Sequence, residues 1–176
     1  MSIMTGRGDS GETDLMFSKR IPKTSLRVEA LGSVDELNAA LGLARAAGGH
    51  ADVITIIDGI QARLVGLMGQ LATLPEDEPK YLEKNYAYLS SQDLEWVITT
   101  AQEYEKRGVR FTSWARPGAE GSLARAGLDY SRSVARRAER HVLALHESGE
   151  PVPEVVRLFF NRLSDFLWIL ARVEDA

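Results

Sequence analysis

Three arginines at helical spacing, Arg132, Arg136 and Arg140, fall within the segment Ser131-Arg132-Ser133-Val134-Ala135-Arg136-Arg137-Ala138-Glu139-Arg140. On an α-helix, four-residue steps drift by only about 40°, so the three guanidinium groups line one face. Each offers planar, bidentate donors and stays charged at neutral pH, the chemistry of phosphate recognition. The competing reading is a solvated face laced by i,i+4 pairs to Asp129 and Glu139, as charge runs usually are. Against it, the segment keeps an excess of positive charge in a chain of net charge −4, which implies a local anionic partner.

Three further segments could do chemistry. The first is Thr5-Gly6-Arg7-Gly8-Asp9-Ser10-Gly11-Glu12-Thr13, followed by Lys23. Glycines there let backbone N–H groups approach phosphate oxygens, and Thr5 and Thr13 add hydroxyl donors. It is not a Walker A loop, since no Gly-Lys-Ser/Thr follows a strand, and the plain alternative is a disordered polar N-terminus. The second is Asn161-Arg162-Leu163-Ser164-Asp165, polar residues interrupting an apolar helix, where partnering by a neighbouring helix and contact with a ligand are equal readings. Asp35-Glu36 raises the same question, because a carboxylate there could pair with a stripe arginine within the subunit or across an interface. The third is the loop Phe111-Thr112-Ser113-Trp114-Ala115-Arg116-Pro117-Gly118. Its two aromatics either anchor the loop or form an apolar wall for a flat ligand.

Helices must position these groups. Val28, Leu31, Val34, Leu37 and Leu41 recur at three- and four-residue steps, predicting a helix from Arg27 to about Ala47 that Gly48-Gly49 ends. A second helix is expected from about Asp52 to Ala72, and Pro75 and Pro79 then break the chain. A third starts at Ser90, a plausible N-cap with Asp93 three residues on, and stops at Lys106-Arg107-Gly108. The stripe lies on a fourth, about Glu120 to Ser148, and a fifth runs from Pro153 to about Val173. No segment of useful length alternates with period two, and residues 1–26 show neither period. The reading is all-α: an antiparallel five-helix bundle forming a single domain over residues 1–176.

Composition narrows the class. The 176 residues are 44% hydrophobic, enough for one full core. The acidic balance argues against non-specific nucleic-acid or anionic-membrane binding. No apolar run approaches a membrane span, and Met1 to Ser10 lack a signal peptide's apolar core. The sequence has no cysteine, which suits a reducing cytoplasm and removes thiolate zinc sites and cysteine nucleophiles. His50, His141 and His146 are too scattered for a metal site or a catalytic triad, and no residue is assigned to a metal.

Taken in order, the segments resemble the PduO-type ATP:cob(I)alamin adenosyltransferases, or corrinoid adenosyltransferases. The resemblance rests on Gly8-Asp9-Ser10-Gly11-Glu12-Thr13 and on Arg-Val-Glu-Ala-x-Gly-x-Val-Asp-Glu-Leu-Asn from Arg27 to Asn38. It continues through Ile60-Gln61, Gly69 and Leu71-Ala72, the stripe from Arg132 to Arg140, and Asn161 to Asp165 with Ala171-Arg172. It implies a homotrimer with active sites between subunits and a flexible ATP-binding N-terminal segment over residues 1–26. The implied ATP site is Thr5, Gly6, Arg7, Gly8, Thr13, Asp14, Lys23, Arg136, Arg137, Ala138, Glu139, Arg140 and Asn161. Arg132 is implied to pair with Asp35, these two and Arg136 being the catalytic set. Trp114, or alternatively Phe111, walls the lower face of the corrin.

The implied reaction is attack of cob(I)alamin on the ribose 5′ carbon of ATP, with triphosphate departing. ATP and cobalamin are then substrates and Mg²⁺ a cofactor bridging the phosphates. A Co(I) centre is already a strong nucleophile, so no protein base is needed; positioning and charge stabilisation are. A flavin-type reductase and a cobalamin-dependent acceptor enzyme are the implied partners. Two departures stand out: Gly6 replaces the family's usual lysine or arginine, with Arg7 one position along, and the 111–119 loop differs from the usual Phe-x-Leu-Pro-Gly-Gly. That loop motivates an alternative, a non-catalytic ATP- or adenosylcobalamin-binding sensor or delivery protein. A third reading is a purely structural helical oligomer whose arginines form interface salt bridges.

Overall fold

The computed structural model describes residues 4–111, 113–119 and 121–173. The first three residues of the N-terminal segment, Thr112 of the aromatic loop and the expected helix start at Glu120 lie outside them. Five long helices form where the periodicity places them: α1 Leu26–Ala46 and α2 Ala51–Leu71 come first. A short α3, Glu78–Glu83, precedes α4 Ser91–Lys106, α5 Leu123–Glu147 and α6 Glu154–Val173. Ser25 caps α1, its hydroxyl accepting from the Val28 N–H at 3.3 Å. Ser90 caps α4, its N–H donating to the Asp93 carboxylate at 2.8 Å, the expected capping box.

The helices follow one another around the core in the order α2, α1, α5, α6, α4. Val34, Leu37 and Leu41 of α1 meet Val134, Ala138 and Val142 of α5 and Phe159, Phe160, Leu163 and Phe166 of α6 in one buried cluster. The α1–α5 contact is intimate: a Cβ built on Gly127 would lie 2.8 Å from the Ala44 Cα, so only glycine lets these backbones approach this closely. The α2–α4 seam works differently, because Trp96 stands between the helices against Gly59. Side chains bridge it, with Arg63 pairing to Asp93 at 3.0 Å and Tyr104 donating to Asp52 at 2.7 Å.

Two elements depart from the all-α, five-helix expectation. Among the described residues there are six α-helices and a two-stranded antiparallel sheet, β1 Glu12–Asp14 with β2 Arg20–Pro22. In α3, Pro79 sits in the first turn, where its missing N–H costs nothing, so a residue read as a breaker starts a helix instead. The hairpin pairs Thr13 with Ile21 and Asp14 with Arg20. Its three-residue strands are too short, and too exposed on both faces, to show alternation. Met16 fastens it to the bundle by donating its N–H to the Ala72 carbonyl at 2.9 Å.

Arg27 shows what one motif residue does for the fold. Its guanidinium is buried and donates to the Leu71 and Thr73 carbonyls at 2.9 and 3.2 Å. It also pairs with Glu150 at 2.7 Å. One side chain thereby closes the C-terminal carbonyls of α2 and ties them to the α5–α6 connection.

Candidate active site

The stripe survives as an exposed face because its expected neutralisers are engaged elsewhere. Asp129 pairs with Arg172 at 2.5 Å, and the Glu139 carboxylate accepts from the Asn161 side chain at 3.3 Å. Arg136 is exposed, and its guanidinium takes part in no hydrogen bond or ion pair among the described residues. Arg140 is exposed and folds back, donating to the Arg136 carbonyl at 3.0 Å. Arg137 turns towards α1 and pairs with Glu36. Asn161 accepts from Arg162 at 2.7 Å, so Arg136, Glu139, Arg140 and Asn161 share one open face spanning α5 and α6. Ala138, in the middle of the implied ATP-facing segment, turns its side chain into the core, where it is fully buried.

Arg132 and Asp35 are not joined within one chain. Asp35 is exposed, while the Nε of the half-buried Arg132 is shielded from solvent without a hydrogen-bond partner. Glu36, next to Asp35, is the carboxylate that reaches an arginine of the same chain. A cleft of about 310 Å³ lies beside that pair, lined by Glu29, Ser33, Glu36, Arg137 and His141.

The N-terminal cluster is organised by a residue outside the sequence-selected set, Arg20. Its Nη1 donates to Asp14 at 3.1 Å, its Nε to Glu12 at 3.4 Å and its Nη2 to the Arg7 carbonyl at 2.9 Å. Arg7 also pairs with Asp14, at 3.0 Å, and its N–H donates to the Thr5 hydroxyl at 3.4 Å. Gly6 turns the chain in the left-handed region at φ 67°. Lys23 lays its ammonium against Gly8, where a Cβ would come within 2.8 Å of Nζ. The position of Arg20 opposite Asp14 in the hairpin was the missing signal, and it is invisible until the hairpin is known. Thr13 is half-buried and Thr5 exposed.

Among the described residues, no hydrogen bond or ion pair of residues 5–23 reaches α5 or α6. Lys19 instead pairs with Glu76 and Asp77 at 3.5 Å. Lys80, with Lys19, holds the Asp77 carboxyl below its ordinary range. Among the described residues, the glycine-rich cluster and the arginine face are thus joined by no hydrogen bond or ion pair.

The aromatic loop lies at the α6 C-terminal end of the bundle. Phe111 packs on Trp168 with centroids 5.7 Å apart, whereas Trp114 is 90% exposed. A larger cavity, about 630 Å³, opens between α3 and the starts of α4 and α6, lined by Tyr81, Tyr88, Leu89, Val152 and Val156. None of the candidate site residues lines it. No helix is long and apolar enough to cross a membrane among the described residues.

The cobalamin adenosyltransferase family model matches residues 3–174. The chain is 36% identical over 180 residues to a corrinoid adenosyltransferase of Bacillus subtilis, covering 100% of this chain and 88% of that one. It is 35% identical over 176 residues to the corrinoid adenosyltransferase PduO of Salmonella typhimurium, covering 100% of this chain but 50% of that one. The chain thus spans about half the length of the PduO relatives it matches. A solved structure of a PduO-type ATP:corrinoid adenosyltransferase variant from Lactobacillus reuteri, complexed with cobalamin and ATP, superposes with a TM-score of 0.84 at 28% identity. That alignment covers 97% of this chain and 92% of the other.

Proposed function

The chain belongs to the cobalamin adenosyltransferase family, and on that premise we propose that it transfers the 5′-deoxyadenosyl group of ATP to the cobalt of a reduced corrinoid. The observation that carries this reading is the open arginine face of α5, whose carboxylate neighbours are committed to Arg172 and Asn161. The Co(I) electron pair forms the Co–C bond while the C5′–O bond breaks and its pair leaves with triphosphate. Arg136 and Arg140, with Asn161 beside them, stabilise charge accumulating on that leaving group. Thr5, Gly6, Arg7, Gly8, Thr13, Asp14 and Lys23 form the second phosphate-binding surface. Mg²⁺ would take up part of the phosphate charge; Asp14 and Glu12, exposed carboxylates that Arg20 holds beside Arg7 of the glycine loop, are the residues that would orient its water shell.

No hydrogen bond or ion pair among the described residues joins the two surfaces, which supports a homotrimer in which one subunit's N-terminal segment closes over the stripe of the next. Asp35 and Arg132 then pair across that interface. Trp114 or Phe111 walls the lower corrin face and excludes the axial ligand, so that Co(II) is more easily reduced. A flavin-type reductase supplies that electron, and a cobalamin-dependent enzyme accepts the product. The need for Co(I) favours a reducing, cytoplasmic setting.

Anaerobic incubation with Mg-ATP and chemically reduced cobalamin is expected to give the light-sensitive Co–C product, followed by absorbance. ATP binding by calorimetry without product would replace the enzyme by a sensor or delivery protein. Absence of both would leave a structural oligomer. Light scattering is expected to return three times the chain mass.

A further inference from the structure

The aromatic loop is fastened to the bundle through a continuous line of contacts. Phe111 lies on Trp168 at 5.7 Å with a tilt of 49°. The Arg172 guanidinium stands over that same indole, 5.2 Å from the ring centroid. Arg172 then donates to Asp129 at 2.5 Å, and the two side chains are only 10% and 7% exposed. The line runs from α5, one turn before Arg132, across α6 to the root of the loop.

A buried ion pair is a poor way to gain stability, since apolar replacements of similar volume are often neutral or stabilising. What it offers is a fixed direction: the bond from Arg172 Nη2 to the Asp129 carboxylate anchors the planar guanidinium over Trp168. We propose that Asp129 and Arg172 are a positioning pair that holds Trp168 as the bed for Phe111, and so sets where the aromatic loop stands at the corrinoid side. The proposal rests on the adenosyltransferase reading for its consequence in catalysis, but the fastening itself is testable without any substrate.

Arg110 is exposed, so the Arg110–Phe111 bond offers trypsin a site once the loop opens, whereas Arg116 is followed by Pro117, which trypsin does not cut before. Two variants divide the question. Arg172→Lys keeps the charge but loses the fork; Trp168→Leu removes the bed while leaving the buried charges paired. In both, trypsin is expected to cut after Arg110 about tenfold faster than in the wild type, because cleavage reports the open population of the loop. Turnover starting from Co(II) is expected to fall about tenfold, with turnover from pre-reduced Co(I) and the KM for ATP changed less than about twofold.

Unchanged cleavage in both variants overturns the proposal, as does faster cleavage with equal losses from Co(II) and Co(I). A wild type that makes no product at all defeats the adenosyltransferase reading instead, and the cleavage rates still decide the fastening. Should Arg172→Lys fail to fold, Trp168→Leu carries the test alone.

Discussion

Arg27 and Arg136 both sit in motifs of the same family, one at the start of α1 and one halfway along α5, yet their surroundings are opposite. Arg27 is buried, with donors committed to two carbonyls and a glutamate. Arg136 is exposed, and its guanidinium commits none among the described residues. A guanidinium whose donors are already used holds the protein to itself, and one whose donors are free is available to something else. Residue type and motif membership do not separate the two; the state of the donors does.

The sharpest way to break this contrast is to truncate both. Arg27→Ala is expected to cost about 4 kcal/mol in urea unfolding, because buried carbonyls and a carboxylate lose a charged partner. Any protein that stays folded should still bind ATP. Arg136→Ala is expected to lower kcat/KM for ATP by about 10²- to 10³-fold, the scale for one donor on developing charge, with a melting temperature within about 2 °C of wild type. A reversal, with Arg136→Ala unfolding or Arg27→Ala merely inactive, would dismiss the donor-state argument.

Smaller effects sharpen the contrast elsewhere. Trp114 is as uncommitted as Arg136, so Trp114→Ala should leave stability unchanged and lower turnover from Co(II) about tenfold, but from pre-reduced Co(I) less than about twofold. Equal losses on the two would move the wall to Phe111. Tyr104 belongs with Arg27: burial, then its bond to Asp52, pushes its phenol up to about 12. Since the unfolded phenol titrates near about 10, its contribution is complete below that pH and lost as pH rises towards the folded value. Tyr104→Phe should flatten the fall in stability over this alkaline window, measured by denaturant midpoints, while leaving ATP use unchanged.

The long helices were legible because their apolar residues repeat over four to six turns, and their caps carry their own side-chain signals, as Ser90 and Asp93 show. The hairpin and α3 were not. Three exposed residues per strand leave no period, and a six-residue helix opened by proline looks like a break. Within the site, the arginines and the glycine loop were visible as residue types at a spacing. Their partners were not, because Asp129–Arg172 and Glu139–Asn161 join positions 43 and 22 residues apart that only the packing of α5 on α6 brings together. Distance in sequence likewise hid Trp168 beneath Phe111, whereas the cross-strand role of Arg20, six residues from Asp14, was hidden by strands too short to show a period.

Gly127 carries a consequence for how changes in this protein would be interpreted. The helix bearing the stripe is keyed to α1 at a point where even a methyl group has no room, about 13 Å along the axis from Arg136. A larger residue there must lift or turn α5, and the whole row of arginines moves as one rigid comb. In a screen for lost activity, such a lesion would look like a substrate-contact mutation although no ligand-touching atom had been altered. Tolerance at position 127 is therefore governed by the aim of the arginines as well as by folding, and a structurally quiet glycine becomes a remote determinant of substrate use.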